Sequence, residues 1–147
     1  MYLDANLKFQ TLTVNNAAAS AVIATSTIAT VGADNAGDGV MLPELYVVVN
    51  TVPGSATIDA TTLYAVDLAF CSDVAGTTVV STVPIAKGVS GQGLVAGKYV
   101  TNPRPILRFP AEYAKVTITP SGTSASNTGA KFDCGFSANC YKPDANV

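Results

Sequence analysis

Histidine and tryptophan are both absent from this 147-residue chain. Without histidine, the chain lacks the side chain that most often serves as general base near neutral pH and as metal ligand. A serine or cysteine nucleophile would have no imidazole to activate it. Charge is scarce as well. Only 12 % of residues are Asp, Glu, Lys or Arg, about half the usual share. The formal net charge is -2, which argues against a nucleic-acid binder working through a basic surface. No run of 18 apolar residues occurs, so no transmembrane helix and no membrane partner are expected. The opening Met1-Tyr2-Leu3-Asp4 lacks the basic and apolar regions of a secretory signal, and no Asn-x-Ser/Thr acceptor is present. Secretion is therefore not expected.

Cysteine is sparse too. Cys71, Cys134 and Cys140 make an odd number, which is not a disulfide framework. Cys71 and Cys134 fall on apolar positions and are expected as buried thiols. Cys134 and Cys140 bracket Cys-Gly-Phe-Ser-Ala-Asn-Cys, which would close a small loop if oxidised; a reducing compartment disfavours that pairing.

What the chain does have is apolar content. Hydrophobic residues make up 48 % of it, which argues against an intrinsically disordered chain. The length suits a single domain over residues 1–147, with 139–147 expected as a C-terminal tail. Short apolar runs rich in Val and Thr alternate with Gly, Pro, Asn and Asp, and both Val and Thr favour strands. Thr62 to Phe70 alternates most clearly, with Tyr64, Val66, Leu68 and Phe70 on one face. Glu112 to Thr119 does the same with Ala114, Val116 and Ile118, and Lys131 to Ser137 with Phe132, Cys134 and Phe136. Leu45 to Val52 is continuous and reads as a central strand. Further strands are expected at Lys8 to Val14, Ser20 to Val31, Thr77 to Ile85, Leu94 to Thr101 and Arg104 to Phe109. Prolines 103, 105 and 110 confine the last of these to an edge. Turn signals separate the runs, and helical turns are possible only at Asp4 to Leu7 and Asn15 to Ala21. Eight or nine short strands with frequent turns predict an all-β antiparallel sandwich, with a jelly roll as the expected winding.

The chemical motifs are weak. Asp34 to Gly39 has Ala36 where a calcium loop needs an acid and Leu45 at its twelfth position. Gly91-Gln92-Gly93 with Gly97 has the wrong spacing for a dinucleotide fingerprint and reads as a mobile loop. Asp4, Asp59, Asp67, Asp73, Glu112 and Asp133 show no spacing that pairs two carboxylates. No enzymatic activity, metal or cofactor is expected. Arg104 and Arg108 are the only arginines, and Tyr113 follows closely. Arginine and tyrosine are enriched at interface hot spots, so Arg104, Arg108 and Tyr113 are the candidate interface residues; the alternative is a solvated strand face. A Thr- and Ala-rich surface with few ions is cheap to desolvate and suits contact with another protein.

Several segments together resemble a family. They are Met1-Tyr2-Leu3-Asp4-Ala5, Glu44-Leu45-Tyr46-Val47-Val48-Val49, Gly54-Ser55-Ala56-Thr57, Arg104-Pro-Ile-Leu-Arg108-Phe-Pro, Tyr113-Ala-Lys-Val-Thr-Ile118 and Ala130-Lys131-Phe132. In order and character they are similar to the small capsid cement, or decoration, proteins of tailed double-stranded-DNA bacteriophages, over residues 1 to about 138. The resemblance implies a jelly-roll or related sandwich on the outer surface of the virion, assembled in the host bacterial cytoplasm. It implies a non-enzymatic module that clamps neighbouring major capsid protein subunits and forms a homo-oligomer, dimer or trimer. The Gly88 to Gly97 stretch and the Ser137 to Val147 end depart from the family's pattern. The alternatives are another virion or cell-surface β module, such as a tail or fibre component or adhesin-like domain, and a carbohydrate-binding β-sandwich with tyrosines 46, 64, 99 and 113 as its aromatics.

Overall fold

The computed structural model of the chain describes residues 2–15, 17–26, 40–54, 62–106, 108–121 and 129–141. These residues form nine strands: β1 (Tyr2–Lys8), β2 (Leu12–Val14), β3 (Ala19–Ala24), β4 (Val40–Thr51), β5 (Leu63–Cys71), β6 (Val79–Ser90), β7 (Tyr99–Pro105), β8 (Tyr113–Ser121) and β9 (Ala130–Tyr141). One sheet runs β1-β9-β4-β7, with β2 also on β9; the other runs β3-β8-β5-β6. Because β1 and β2 follow one another along β9, the nine strands fill eight positions. Every pairing is antiparallel.

The pairings are nested. β5 pairs with β6, β4 with β7, β3 with β8, and β1 and β2 with β9. The chain is thus a long two-stranded ribbon turned back at residues 72–78. Pairing of β4 with β9 and of β5 with β8 folds that ribbon into two facing sheets.

The alternating patterns of β5, β8 and β9 point as their sequences predict. Tyr64, Val66, Leu68 and Phe70 meet Phe132, Cys134 and Phe136 across the sandwich, all essentially inaccessible to solvent. Full burial of such a side chain stabilises the fold by about 1.5–3 kcal/mol. At one end, Phe109 bridges the sheets, with ring centroids 5.7 Å from Phe70 and 6.0 Å from Phe136. At the other end, Tyr64 meets Phe132 edge-on at 5.3 Å. Phe109 thereby pins the segment between β7 and β8.

The turn between β5 and β6 is organised by Asp73. Its carboxylate accepts hydrogen bonds from Thr77 N–H, Thr77 Oγ1–H and Thr78 N–H at 3.1, 2.6 and 2.7 Å. These bonds hold its pKa down at about 2. Gly76 has a φ of +71°, a conformation that glycine adopts without strain. The turn lies over the outer face of its sheet. A Cβ at Gly76 would stand 2.9 Å from Lys115 Cδ and 3.0 Å from Val22 Cγ2, and Lys115 Nζ donates to the Gly76 carbonyl at 3.1 Å. Cys71, whose position alternates with the inward residues of β5, is fully buried beside this turn.

Several expectations are corrected. Asp4 to Leu7 is not a helical turn; it is the irregular part of β1, where five residue steps (Leu3 to Lys8) oppose two on β9 (Ser137 to Gly135). The alanine-rich stretch ending at Ala21 enters strand β3 from Ala19, because Ala19, Ala21 and Ile23 pack on the core; pairing overrides helix propensity there. Lys8 to Val14 is split between β1 and β2. The strand expected from Leu94 begins at Tyr99, and the one expected from Thr77 runs on to Ser90. β9 continues to Tyr141, three residues into the expected tail. The Asp34 to Gly39 segment, the later part of Ser20 to Val31, Leu107, Asp59 and residues 142–147 lie outside the described residues.

The glycine stretch from Gly88 is not a free loop. Ser90 ends β6, Gly91–Gly93 form a short 3-10 turn, and backbone bonds tie the stretch down. Gly91 N–H donates to Thr62 O at 2.8 Å, Gly97 N–H to Val49 O at 2.7 Å, and Val49 N–H to Lys98 O at 2.9 Å.

Candidate interaction edge

Two strands, β6 and β7, one from each sheet, form one open side of the sandwich; β3 with β1 and β2 forms the opposite one. Residues 74–111, which contain both, carry Lys87, Lys98, Arg104 and Arg108 and no Asp or Glu. With a chain total of -2, this stretch is +4 and the remainder is therefore -6. All four cationic residues are exposed. The stretch that forms β6 and β7 is thus cationic in a protein of acidic pI, with Asp67 of β5 opposite Pro84 and Glu44 of β4 opposite Pro105 as its nearest cross-strand acids.

Both candidate arginines are brought to β6. Arg104 stands opposite Leu45 near the end of β7 and donates from Nη1 to the Pro84 carbonyl of β6 at 2.7 Å. It latches one sheet to the other across that open side. Arg108, held by its neighbour Phe109, lines a cleft of about 280 Å³ with Phe70, Ser81, Val83 and Pro110. Tyr113 is not with them. It is half-buried at the start of β8 and lines a separate cleft of about 400 Å³ with Ala24, Thr25, Ser26, Phe109 and Glu112. Thr25 braces that cleft, with its N–H on Glu112 O and its Oγ1–H on Ala111 O, both at 2.8 Å.

β6 is built as an edge. Pro84 has no N–H, and its carbonyl points away from β5 toward Arg104. Thr82 lies two residues back in unbroken register with β5, so its N–H and carbonyl face the same free side. Val79 and Val80 are 51 % and 56 % exposed at the start of the strand, and Val74 on the adjoining turn is 72 % exposed. Composition counts did not single out this edge. The signal that would have found it is the acid-free run from 74 to 111.

The other chemical groups are dispersed. Asp133, on the outer face of the β9 sheet, accepts from Thr11 Oγ1–H at 2.7 Å and Asn50 Nδ2–H at 2.9 Å, with Lys8 Nζ 3.5 Å away. Burial alone would raise its pKa; these partners outweigh burial and hold it below the usual carboxylate range. Among the described residues no three of His, Cys, Asp and Glu come together as metal ligands would. No helix among them is long and apolar enough to cross a membrane. The tyrosines considered for a glycan platform are divided: Tyr64 lies in the core, Tyr113 on its sheet, and Tyr46 and Tyr99 on the other sheet.

Cys134 is a buried free thiol whose pKa is pushed up to about 12, first by burial and then by the Asp133 charge. Cys134 and Cys140 lie on the same strand, six residues apart. At a rise of about 3.3 Å per residue they are ~20 Å apart, far beyond disulfide reach.

No protein-family model, curated protein or solved structure matches this chain.

Proposed function

We propose that the chain is a jelly-roll structural protein of a phage virion that binds the outside of an assembled capsid and cements neighbouring major capsid protein subunits. The observation that carries this reading is the nested strand order, β1/β2-β9-β4-β7 facing β3-β8-β5-β6, with sheet exteriors poor in charge. Two interleaved Greek keys have that winding, which viral capsid domains share with lectin domains and cupins. The segment similarity described above supplies the remaining support. A module that binds assembled subunits and not free ones shifts the balance toward the assembled shell. Bridging two or three subunits raises effective concentration without new chemistry. In this reading the chain forms a dimer or trimer and carries out no reaction.

The test is the position of the chain in a purified particle, by electron microscopy of particles with a labelled copy, together with heat and osmotic challenge of particles lacking it. Density on the outer shell lattice and reduced robustness without the protein are expected. Density on the tail or fibres favours the alternative virion module, and equal robustness removes the cement role.

A further inference from the structure

We propose that the free edge of β6 over Val79–Val83, with the Arg108 cleft beside it, takes an extended acidic polypeptide segment of a partner protein by strand addition. An edge strand presents unpaired N–H and carbonyl groups that only another polypeptide backbone satisfies in ladder fashion. The addressable length is set by the fold. Pro84 offers no N–H, and its carbonyl is already taken by Arg104 at 2.7 Å, so the ladder stops there. On the other side of that block, Val79 and Val80 stand exposed, and Thr82 turns its backbone groups outward.

The side chains select the kind of strand. The cleft beside this stretch has Phe70 and Val83 as apolar lining and the Arg108 guanidinium, which suits an aliphatic stem ending in a carboxylate. No acidic residue occurs between Asp73 and Glu112 to compete for that guanidinium within the segment. The same charge argues against a second copy as occupant. Antiparallel pairing of two β6 edges over Val79–Val83 would bring the two Arg108 side chains, each beside Ser81 and Val83, toward one another, and like charges facing one another disfavour association. Nucleic acid matches the charge but not the backbone ladder. Within the capsid reading, the segment belongs to a capsid subunit; the test below uses no shell, so failure of either claim is visible separately.

The experiment is titration of the isotopically labelled full chain with a 12-residue peptide alternating Glu with Val or Thr, followed by amide shifts. Controls are the same peptide with Lys for Glu and a single-stranded DNA oligonucleotide. Amide shifts centred on Val79–Val83 with the acidic peptide alone are expected. Arg108→Glu should weaken binding on the order of tenfold or more. Thr82→Pro removes an outward N–H without touching the β5 ladder and should abolish the shifts; the folded spectrum of each variant is checked first. Raised salt should weaken the complex. Shifts centred elsewhere, no shift at all, equal response to Lys peptide or DNA, or self-association lost in Thr82→Pro would each overturn the proposal.

Discussion

The phenol ring of Tyr46 lies across the bare backbone of Gly135, its cross-strand partner on β9. A methyl group at position 135 would stand 2.7 Å from Tyr46 Cζ. Both residues are on the outer face of the sheet, yet Tyr46 is only 8 % exposed. Burial is also the main reason its phenol ionises above the ordinary tyrosine range, with the Cys134, Asp133 and Tyr99 charges adding to it. Gly135→Ala is expected to destabilise the fold by about 1–3 kcal/mol, the range for forced overpacking. In a Tyr46→Ala background the same substitution should cost far less. Urea unfolding of the four proteins in the double-mutant cycle measures that coupling.

Phe132 tests the core. It is fully buried on β9, opposite Val49 of β4, with its ring against Tyr64 of the facing sheet. Phe132→Ala should lower stability by about 3–5 kcal/mol, read from the urea midpoint. A near-neutral result would mean that β9 does not present this face inward.

Acid stability should depend on Asp73. Its pKa is lowered in the folded chain, from 3.8 to about 2. The carboxylate therefore adds stability above the unfolded value, and that contribution fades as pH falls from about 4 toward 2. Asp133 is lowered as well and acts in the same direction. Asp73→Asn should be less stable than the parent at pH 6, and the gap should close by pH 2. Unfolding midpoints across that range decide it; a constant gap would show that the Asp73 charge is not involved.

The two thiols with described side chains should be inert in the folded state. Cys71 and Cys134 are buried, and Cys134 ionises only near pH 12. In a Cys140→Ser background, a thiol reagent at pH 8 should label neither cysteine until denaturant is added, when both react. Rapid labelling of the native protein would refute the placement of both strands.

Much of the fold was legible because the inward faces of β5, β8 and β9 alternate strictly, and period two is the strand's own repeat. Val66, Val116 and Phe132 could be assigned a side before any pairing was known. Partners were not legible. Nothing near Ala19 announces Ile118, and the helical leaning of the alanines yields only once β8 is beside them. The site was half legible. Arg104 and Arg108 were chosen for their chemistry, but it takes β7 lying alongside β6, and then the turn through Phe109, to bring both against β6 and leave Tyr113 in a separate cleft. Asp73 looked like any polar turn residue, since two of its three donors are backbone N–H groups that the turn itself aims at it, and the third is the Thr77 hydroxyl.

Nesting also orders the events of folding. The turn held by Asp73 joins neighbours in sequence, whereas Tyr2 must find Ala138 across nearly the whole chain. Closing entropy grows with the span, and topologies dominated by distant pairings fold slowly, in milliseconds to seconds. The ribbon is expected to zip outward from its middle, with early protection of β5 and β6 amides and late protection of β1 in pulsed hydrogen exchange. Its first strand, seated last, is then the seam at which a newly made molecule stays open longest.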